Sequence, residues 1–203
     1  MLVGVLALQG DIQAHERVLE RLDVAWREVR RPGDLDGLQG LVLPGGESTT
    51  MWHFMRANGL DVALRDFAAA GGAMFGTCAG AILLAREVLN PSGEGLGILD
   101  ITVQRNGYGR QTMSRVTTAT CDDAESTPIE TVLIRAPRIV RTGPGVSIRA
   151  RLADEPVWVE SGRVMATTFH PELSDELRPH RRFLGLASLS PVFAFSPRAR
   201  VAS

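Results

Sequence analysis

GGAMFGTCAGAILLA, residues 71–85, sets a short apolar run, a cluster of small residues around Cys78 and a further apolar run back to back. The run before Cys78 has the length of a buried strand and the run after it has the character of a helix start, so the small residues mark a sharp strand-to-helix turn. Gly76-Thr77-Cys78-Ala79-Gly80 has the G-x-nucleophile-x-G form of a nucleophile elbow. In such a turn the central residue is forced into a strained conformation, and only small neighbours let the backbones fit. The side chain is lifted clear of the sheet, and the free N–H groups of the helix start stabilise negative charge on it. Cysteine is also among the most buried residue types. Taken alone, residues 71–85 leave open whether Cys78 is a core thiol or a nucleophile.

Outward from this stretch the chain alternates strands and helices. LVGVLALQGD (2–11) is an unbroken apolar run ending in Gly10 and Asp11, as in a strand buried on both faces. Asp11 is placed to cap a helix with Ile12, Val18, Leu19 and Leu22 on its apolar face. VAWREV (24–29) and GLVLPGG (40–46) read as two further strands, and residues 49–70 as helical. This order predicts a mostly parallel α/β sheet with its ligand site at the carboxyl ends of the strands. In the second half, ITVQRN, TVLIRAP, VSIRARL, PVWVES and RVMATTFH are short strand-like runs separated by turn residues, which predicts an antiparallel extension. A last helix is expected over 175–189, within a single domain over 1–190, with 191–203 as a flexible tail.

Bulk composition narrows the function classes. A chain of 203 residues, 44% hydrophobic and 22% charged, is sized for one globular domain. A formal net charge of −1 supplies no basic field for nucleic acid, so none is expected as a partner. No apolar run approaches the roughly 20 residues that span a bilayer, and the opening lacks the features of a signal peptide. A cytoplasmic protein with no membrane partner is expected. Cys78 and Cys121 are too few for a disulfide framework and have no metal-ligand spacing with the four histidines, so no metal is expected.

A thiol nucleophile needs a base, and the base needs an orienting partner. His15, His53 and His180 lie in helical or arginine-rich stretches and are expected to be surface or packing residues. His170 differs, because it ends an apolar strand and is followed by Pro171 and Glu172. If that segment is extended, residues two apart point the same way, and Glu172 holds the His170 imidazole in the tautomer that accepts the thiol proton. In LVLPGGESTTM (41–51), Gly45 and Gly46 follow a strand-ending proline, and Ser48-Thr49-Thr50 are suited to cap a helix. The backbone N–H groups of Gly46 and Ala79 are natural donors to an oxyanion, although a PGG turn alone is ordinary turn chemistry.

Together these motifs resemble the class I glutamine amidotransferases, whose signatures are GTCAG around the nucleophile and a late His-Pro-Glu. GVLALQGDIQAHERVL, LVLPGGESTTM, FGTCAGAILLA, RNGYGRQ, IRAPRI and FHPEL, in this order, are similar to the family of glutaminase subunits of pyridoxal 5′-phosphate synthases. The resemblance implies a three-layer, flavodoxin-like α/β fold with a mostly parallel central sheet flanked by helices. It implies a Cys78-His170-Glu172 triad that hydrolyses L-glutamine through a γ-glutamyl thioester, with no cofactor. It further implies glutamine contacts from Gly46, Glu47, Ser48, Arg105, Ile134 and Arg135, where an arginine suits the α-carboxylate. Its implied partner is a (β/α)₈-barrel synthase subunit, in an assembly with twelve copies of each. The chain departs from the family where Thr112-Met113-Ser114-Arg115 replaces an acidic stretch and Gly107 an alanine, which leaves the docking details open. Cys121 matches no functional position. Two other readings remain: an amidotransferase or γ-glutamyl hydrolase serving another pathway, which LQGD and RNGYGRQ disfavour, and a non-catalytic glutamine sensor or scaffold, which an intact triad disfavours.

Overall fold

The computed structural model describes residues 1–105, 115–123 and 126–196. Its centre is a nine-stranded sheet. Five strands run parallel in the order β2 (Ala25–Val29), β1 (Leu2–Leu6), β3 (Gly40–Leu43), β4 (Ala73–Thr77) and β12 (Val164–Thr167). Beyond β12 the sheet continues antiparallel through β11 (Glu155–Ser161), β10 (Ser147–Leu152), β7 (Arg115–Cys121) and β8 (Pro128–Leu133). The parallel half and the antiparallel extension are both as expected. A separate three-stranded sheet of β5 (Ala85–Leu89), β6 (Leu99–Gln104) and β9 (Arg138–Thr142) was not foreseen. The sequence reading also missed β7, whose alternating, largely exposed residues carry little hydrophobic signal.

Side-chain alternation along the parallel strands builds two apolar layers. Leu41, Leu43 and Met74 point to one face, where they meet Met51, Phe67 and Leu84 from α2 (Ser48–Asn58), α3 (Leu60–Ala69) and α4 (Ala79–Leu84). Val3, Val5, Val42 and Phe75 point to the other, against Leu19 of α1 (Ile12–Arg21) and Phe183 of α5 (Arg178–Ser188). The result is the three-layer arrangement that alternating strands and helices require.

Several local expectations change. The helical stretch after residue 49 is two helices, because Gly59 takes a left-handed conformation (φ 81°) that ends α2 and starts α3. The cap of α2 is Glu47 and not the serine and threonines after it: its carboxylate accepts from Thr50 N at 2.8 Å and Thr50 Oγ1 at 3.0 Å. Asp11 sits at the N-cap of α1 but makes no side-chain cap bond. The last helix begins at Arg178, three residues later than expected, with Pro179 in its first turn. Residues 191–196, assigned to a flexible tail, are anchored. Phe193 stacks edge-on against Phe67 at 5.1 Å, and its backbone pairs with Gly37 and Leu38 at 2.6 and 2.8 Å. The remaining tail, Gly107 and Thr112 to Ser114 lie outside the described residues.

Candidate active site

Four loops at the carboxyl ends of β1, β3, β4 and β12 converge where an open parallel sheet keeps its ligands. At the end of β4, Cys78 has φ 49° and ψ −102°, a strained conformation costing on the order of 1–3 kcal/mol. The flanking glycines explain how the turn closes. A Cβ on Gly76 would lie 2.5 Å from the Gly80 carbonyl carbon, and one on Gly80 would lie 2.0 Å from the Leu43 carbonyl oxygen of β3. The turn is pinned by Cys78 N donating to Thr167 O at 2.9 Å. Helix α4 has only six residues.

Beyond β12 the chain leaves the sheet, and His170 N donates to Val132 O at 2.8 Å, which fixes the imidazole over the same cleft. Its Nδ1 lies 2.7 Å from Glu172 Oε1, with both side chains buried. The pairing agrees with the sequence reading, but its geometry does not. Pro171–Leu173 is a single 3₁₀ turn rather than an extended segment, and the turn folds the carboxylate back onto the ring. An ionised Glu172 only accepts hydrogen bonds, so Nδ1 keeps its proton and Nε2 is the nitrogen that takes up and returns one. That Nε2 is buried with no hydrogen-bond partner. Burial alone would lower the His170 pKa, but the charges of Cys78 and Glu172 and the hydrogen bond to Glu172 outweigh it and push it up to about 10. Burial would raise the Glu172 pKa; His15 and His170 beside it instead hold it well below the usual carboxylate range.

These groups face a cleft of about 580 Å³, an ordinary size for a small-molecule site. Gly46, Glu47, Ser48, Cys78, Ala79, Arg105, Ile134, Arg135 and His170 all line it, while Glu172 stands behind His170, outside the lining. Both capping bonds of Glu47 fall on its Oε2. Arg105 donates to Thr49 Oγ1 at 2.8 Å and keeps a buried, unpartnered Nε. The Cys78 Sγ lies 3.9 Å from the Ile134 carbonyl oxygen, and Arg135 takes a strained φ of 44°.

Sequence reasoning missed three polar contributors. Gln9 Oε1 accepts from Glu47 N at 2.6 Å and clasps the Gly45-Gly46 turn from the β1 side. Asp11, also on the cleft, brings a carboxylate to 3.5 Å from His170 Nδ1. His15, expected to be a packing residue without polar company, is fully buried with its Nε2 3.1 Å from Thr77 Oγ1 and 3.5 Å from Glu172 Oε2. His180 is buried against His15, whereas His53 is exposed as expected. The signal for Gln9 and Asp11 was their place at the end of β1. Asp11, His170 and Glu172 carry donor atoms close enough together to hold an ion. The Nδ1 any ion would need is already bonded to Glu172.

An elbow cysteine beside a His-Glu pair, facing a cleft at the ends of a parallel sheet, is the arrangement of an enzyme that works through a thiol nucleophile. The chain is similar, with a TM-score of 0.86 and 45% identity over 92% of its length and 99% of the other chain, to a solved structure described as a glutamine amidotransferase. The profile of the SNO glutamine amidotransferase family matches residues 5–187, and the chain belongs to that family. It is 55% identical over 193 residues to the pyridoxal 5′-phosphate synthase subunit PdxT of Deinococcus radiodurans, covering 92% of this chain and 97% of that protein. Against the PdxT of Thermotoga maritima it is 47% identical over 184 residues, covering 91% and 98%. A solved structure from Thermoplasma acidophilum, described by its similarity to a GMP synthase subunit, shares the fold alone, with 19% identity and a TM-score of 0.69. No helix among the described residues is long and apolar enough to cross a membrane.

Proposed function

We propose that this chain is a glutaminase that hydrolyses L-glutamine to L-glutamate and ammonia and passes the ammonia to the synthase subunit of a pyridoxal 5′-phosphate synthase. The reading is carried by Cys78 on a strained elbow beside the buried His170–Glu172 pair, in a chain 55% identical to a PdxT. His170 Nε2 holds the proton taken from the thiol, and the Cys78 thiolate attacks the carboxamide carbon. The tetrahedral intermediate places its charge toward the backbone N–H groups of Gly46 and Ala79. Its C–N bond breaks as His170 returns the proton to the leaving nitrogen, releasing ammonia and leaving a γ-glutamyl thioester. Water, deprotonated by the same Nε2, then displaces the thiol and frees glutamate.

Arg105 is the natural partner of the α-carboxylate, since its buried Nε lacks an acceptor. Arg135 and the Ile134 backbone close the other side of the substrate.

Released ammonia protonates in water and is lost, so hydrolysis is useful only when coupled to the synthase. The partner is a (β/α)₈-barrel subunit, in a cytoplasmic complex of twelve plus twelve chains. Docking orients the Gly45–Gly46 peptide so that its N–H completes the oxyanion site. Glutamate release by the full chain, with and without the barrel subunit, tests this; equal rates rule out the coupling. Cys78→Ala should bind glutamine and lose turnover by about 10⁴-fold or more, as expected for loss of a nucleophile. Turnover near wild type would remove Cys78 from the reaction.

A further inference from the structure

Behind Glu172, away from the cleft, lies another pair of imidazoles that the reaction as written does not use. His15 on α1 and His180 on α5 are both fully buried, with His15 Nδ1 3.1 Å from His180 Nε2. Phe75 meets both rings edge-on, with centroids at 6.4 and 5.4 Å.

Their protons follow from hydrogen-bond accounting. Two ring nitrogens 3.1 Å apart need one donor and one acceptor. His180 Nδ1 is buried without a partner, and an N–H there would be an unsatisfied donor. The His180 proton therefore sits on Nε2 and is donated to His15 Nδ1. That acceptance leaves the His15 proton on Nε2, where it faces Thr77 Oγ1 at 3.1 Å and Glu172 Oε2 at 3.5 Å. Glu172 Oε2 is buried without a hydrogen-bond partner and has His15 Nε2 at a 3.5 Å ion-pair distance, while Glu172 Oε1 is the atom that holds His170. One N–H thus spans the residue before the nucleophile and the free oxygen of the orienting carboxylate.

We infer that His15 is a positioning residue: its Nε2–H, set by His180, holds the Glu172 carboxylate in the orientation that aims His170 at Cys78. It touches neither substrate nor the reacting atoms and acts through Glu172 and Thr77. The inference rests on the glutaminase reading for its kinetic arm only.

The test compares His15→Leu, His15→Gln and His15→Asn in the full chain assayed with the barrel subunit. A glutamine amide nitrogen reaches about as far as Nε2, whereas an asparagine amide reaches only as far as Nδ1. His15→Leu and His15→Asn should lose about 10- to 100-fold in kcat, the range seen when an outer partner of a working histidine is removed. KM for glutamine should stay within about twofold, and His15→Gln should recover most of the loss. A further readout needs no glutamine: the rate at which iodoacetamide alkylates Cys78, mapped by peptide mass, should fall in the same order. Wild-type kcat and alkylation in His15→Leu would overturn the inference. So would equal values for His15→Gln and His15→Asn, a comparison that decides the matter even where His15→Leu does not fold. If wild type releases no glutamate, the glutaminase reading fails while the alkylation series still decides the role of His15.

Discussion

Gly80→Ala tests the claim that the elbow is closed by backbone contact rather than by the chemistry of its side chains. The added methyl would sit 2.0 Å from the Leu43 carbonyl oxygen and 2.9 Å from its carbon, whereas ordinary contact begins near 3.4 Å. Something must therefore move by on the order of 1 Å, the scale at which misplacing a reacting group costs about 100-fold in rate. Strand β3 is poorly placed to yield. Leu43 is paired with Gly76 of β4, Val42 with Val5 of β1, and the strand is buried along its whole length. Gly76 cannot absorb the shift either, since its own missing Cβ already lets the Gly80 carbonyl approach. The start of α4 has to give way, and it carries Cys78 two residues upstream. We expect kcat for glutamine hydrolysis to fall about 100-fold, and stability to fall by about 1–3 kcal/mol, as for other overpacked sites. That corresponds to about 2–4 °C in Tm for each kcal/mol in a chain of this size. Gly185→Ala is the matched control: it is exposed in α5, and its Cβ would meet nothing within 4 Å. It should raise stability by about 0.5–1 kcal/mol and leave kcat alone. A Gly80→Ala chain with wild-type Tm and a rate within twofold of wild type would refute the reasoning.

The remaining predictions concern charge, the β1 loop and the chain end. Folded His170 has its pKa raised from 6.5 to about 10, so it favours folding fully below pH 6.5 and loses that contribution as pH climbs toward 10. Glu172 is pulled down from 4.5, so its contribution is present above pH 4.5 and lost as pH falls through its folded value. Their joint contribution to stability is therefore greatest between pH 4.5 and 6.5. In Glu172→Gln the His170 titration followed by NMR should move down from about 10, and an unmoved titration would contradict the pairing. Gln9→Ala removes the acceptor of Glu47 N and frees the Gly45–Gly46 turn. It should cost about 1 kcal/mol or less in stability, since water reaches the exposed Glu47, yet lower kcat about tenfold; unchanged kcat with a lower Tm would reverse that assignment. Phe193→Ala should destabilise by about 1–3 kcal/mol in chemical denaturation, because a half-buried ring gives up part of the 3–5 kcal/mol of a buried one. No change would mean that residues 191–196 are not held in solution.

Much of the site was legible because a parallel sheet collects the ends of its strands on one edge. The four segments that reach the cleft from the ends of parallel strands carry local marks that survive without tertiary information: Gly10-Asp11 after β1, Pro44-Gly45-Gly46 after β3, Gly76 to Gly80 around Cys78, and His170-Pro171-Glu172 after β12; Arg105, Ile134 and Arg135, which also line it, carry none. The mark gives the segment but not its conformation. Glu172 reaches His170 through a 3₁₀ turn although the alternation of an extended chain predicted the same partner, because either geometry brings residues two apart within reach. Glu47 shows the opposite case. Its acidic side chain before Ser48-Thr49-Thr50 has the character of a ligand group, yet an adjacent helix with unpaired N–H groups takes one of its oxygens.

His15 and His180 show where such reading stops. Each lies on the inner face of an amphipathic helix, where a histidine has the same pattern as any core residue, and 165 positions separate them. What joins them is the packing of α1 and α5 against the β4 face of the sheet, which buries both rings around Phe75. Once buried, neither ring can leave a donor unpaired without cost, and that constraint alone fixes which nitrogen carries each proton. The order of the proton-bearing atoms from His180 to Glu172 is thus a property of the core, while the segments that face the substrate are a property of the loops. A sequence pattern describes loops residue by residue, but a shared proton belongs to no single segment, so the part of the site that sets the orientation of His170 emerges only when the layers are assembled.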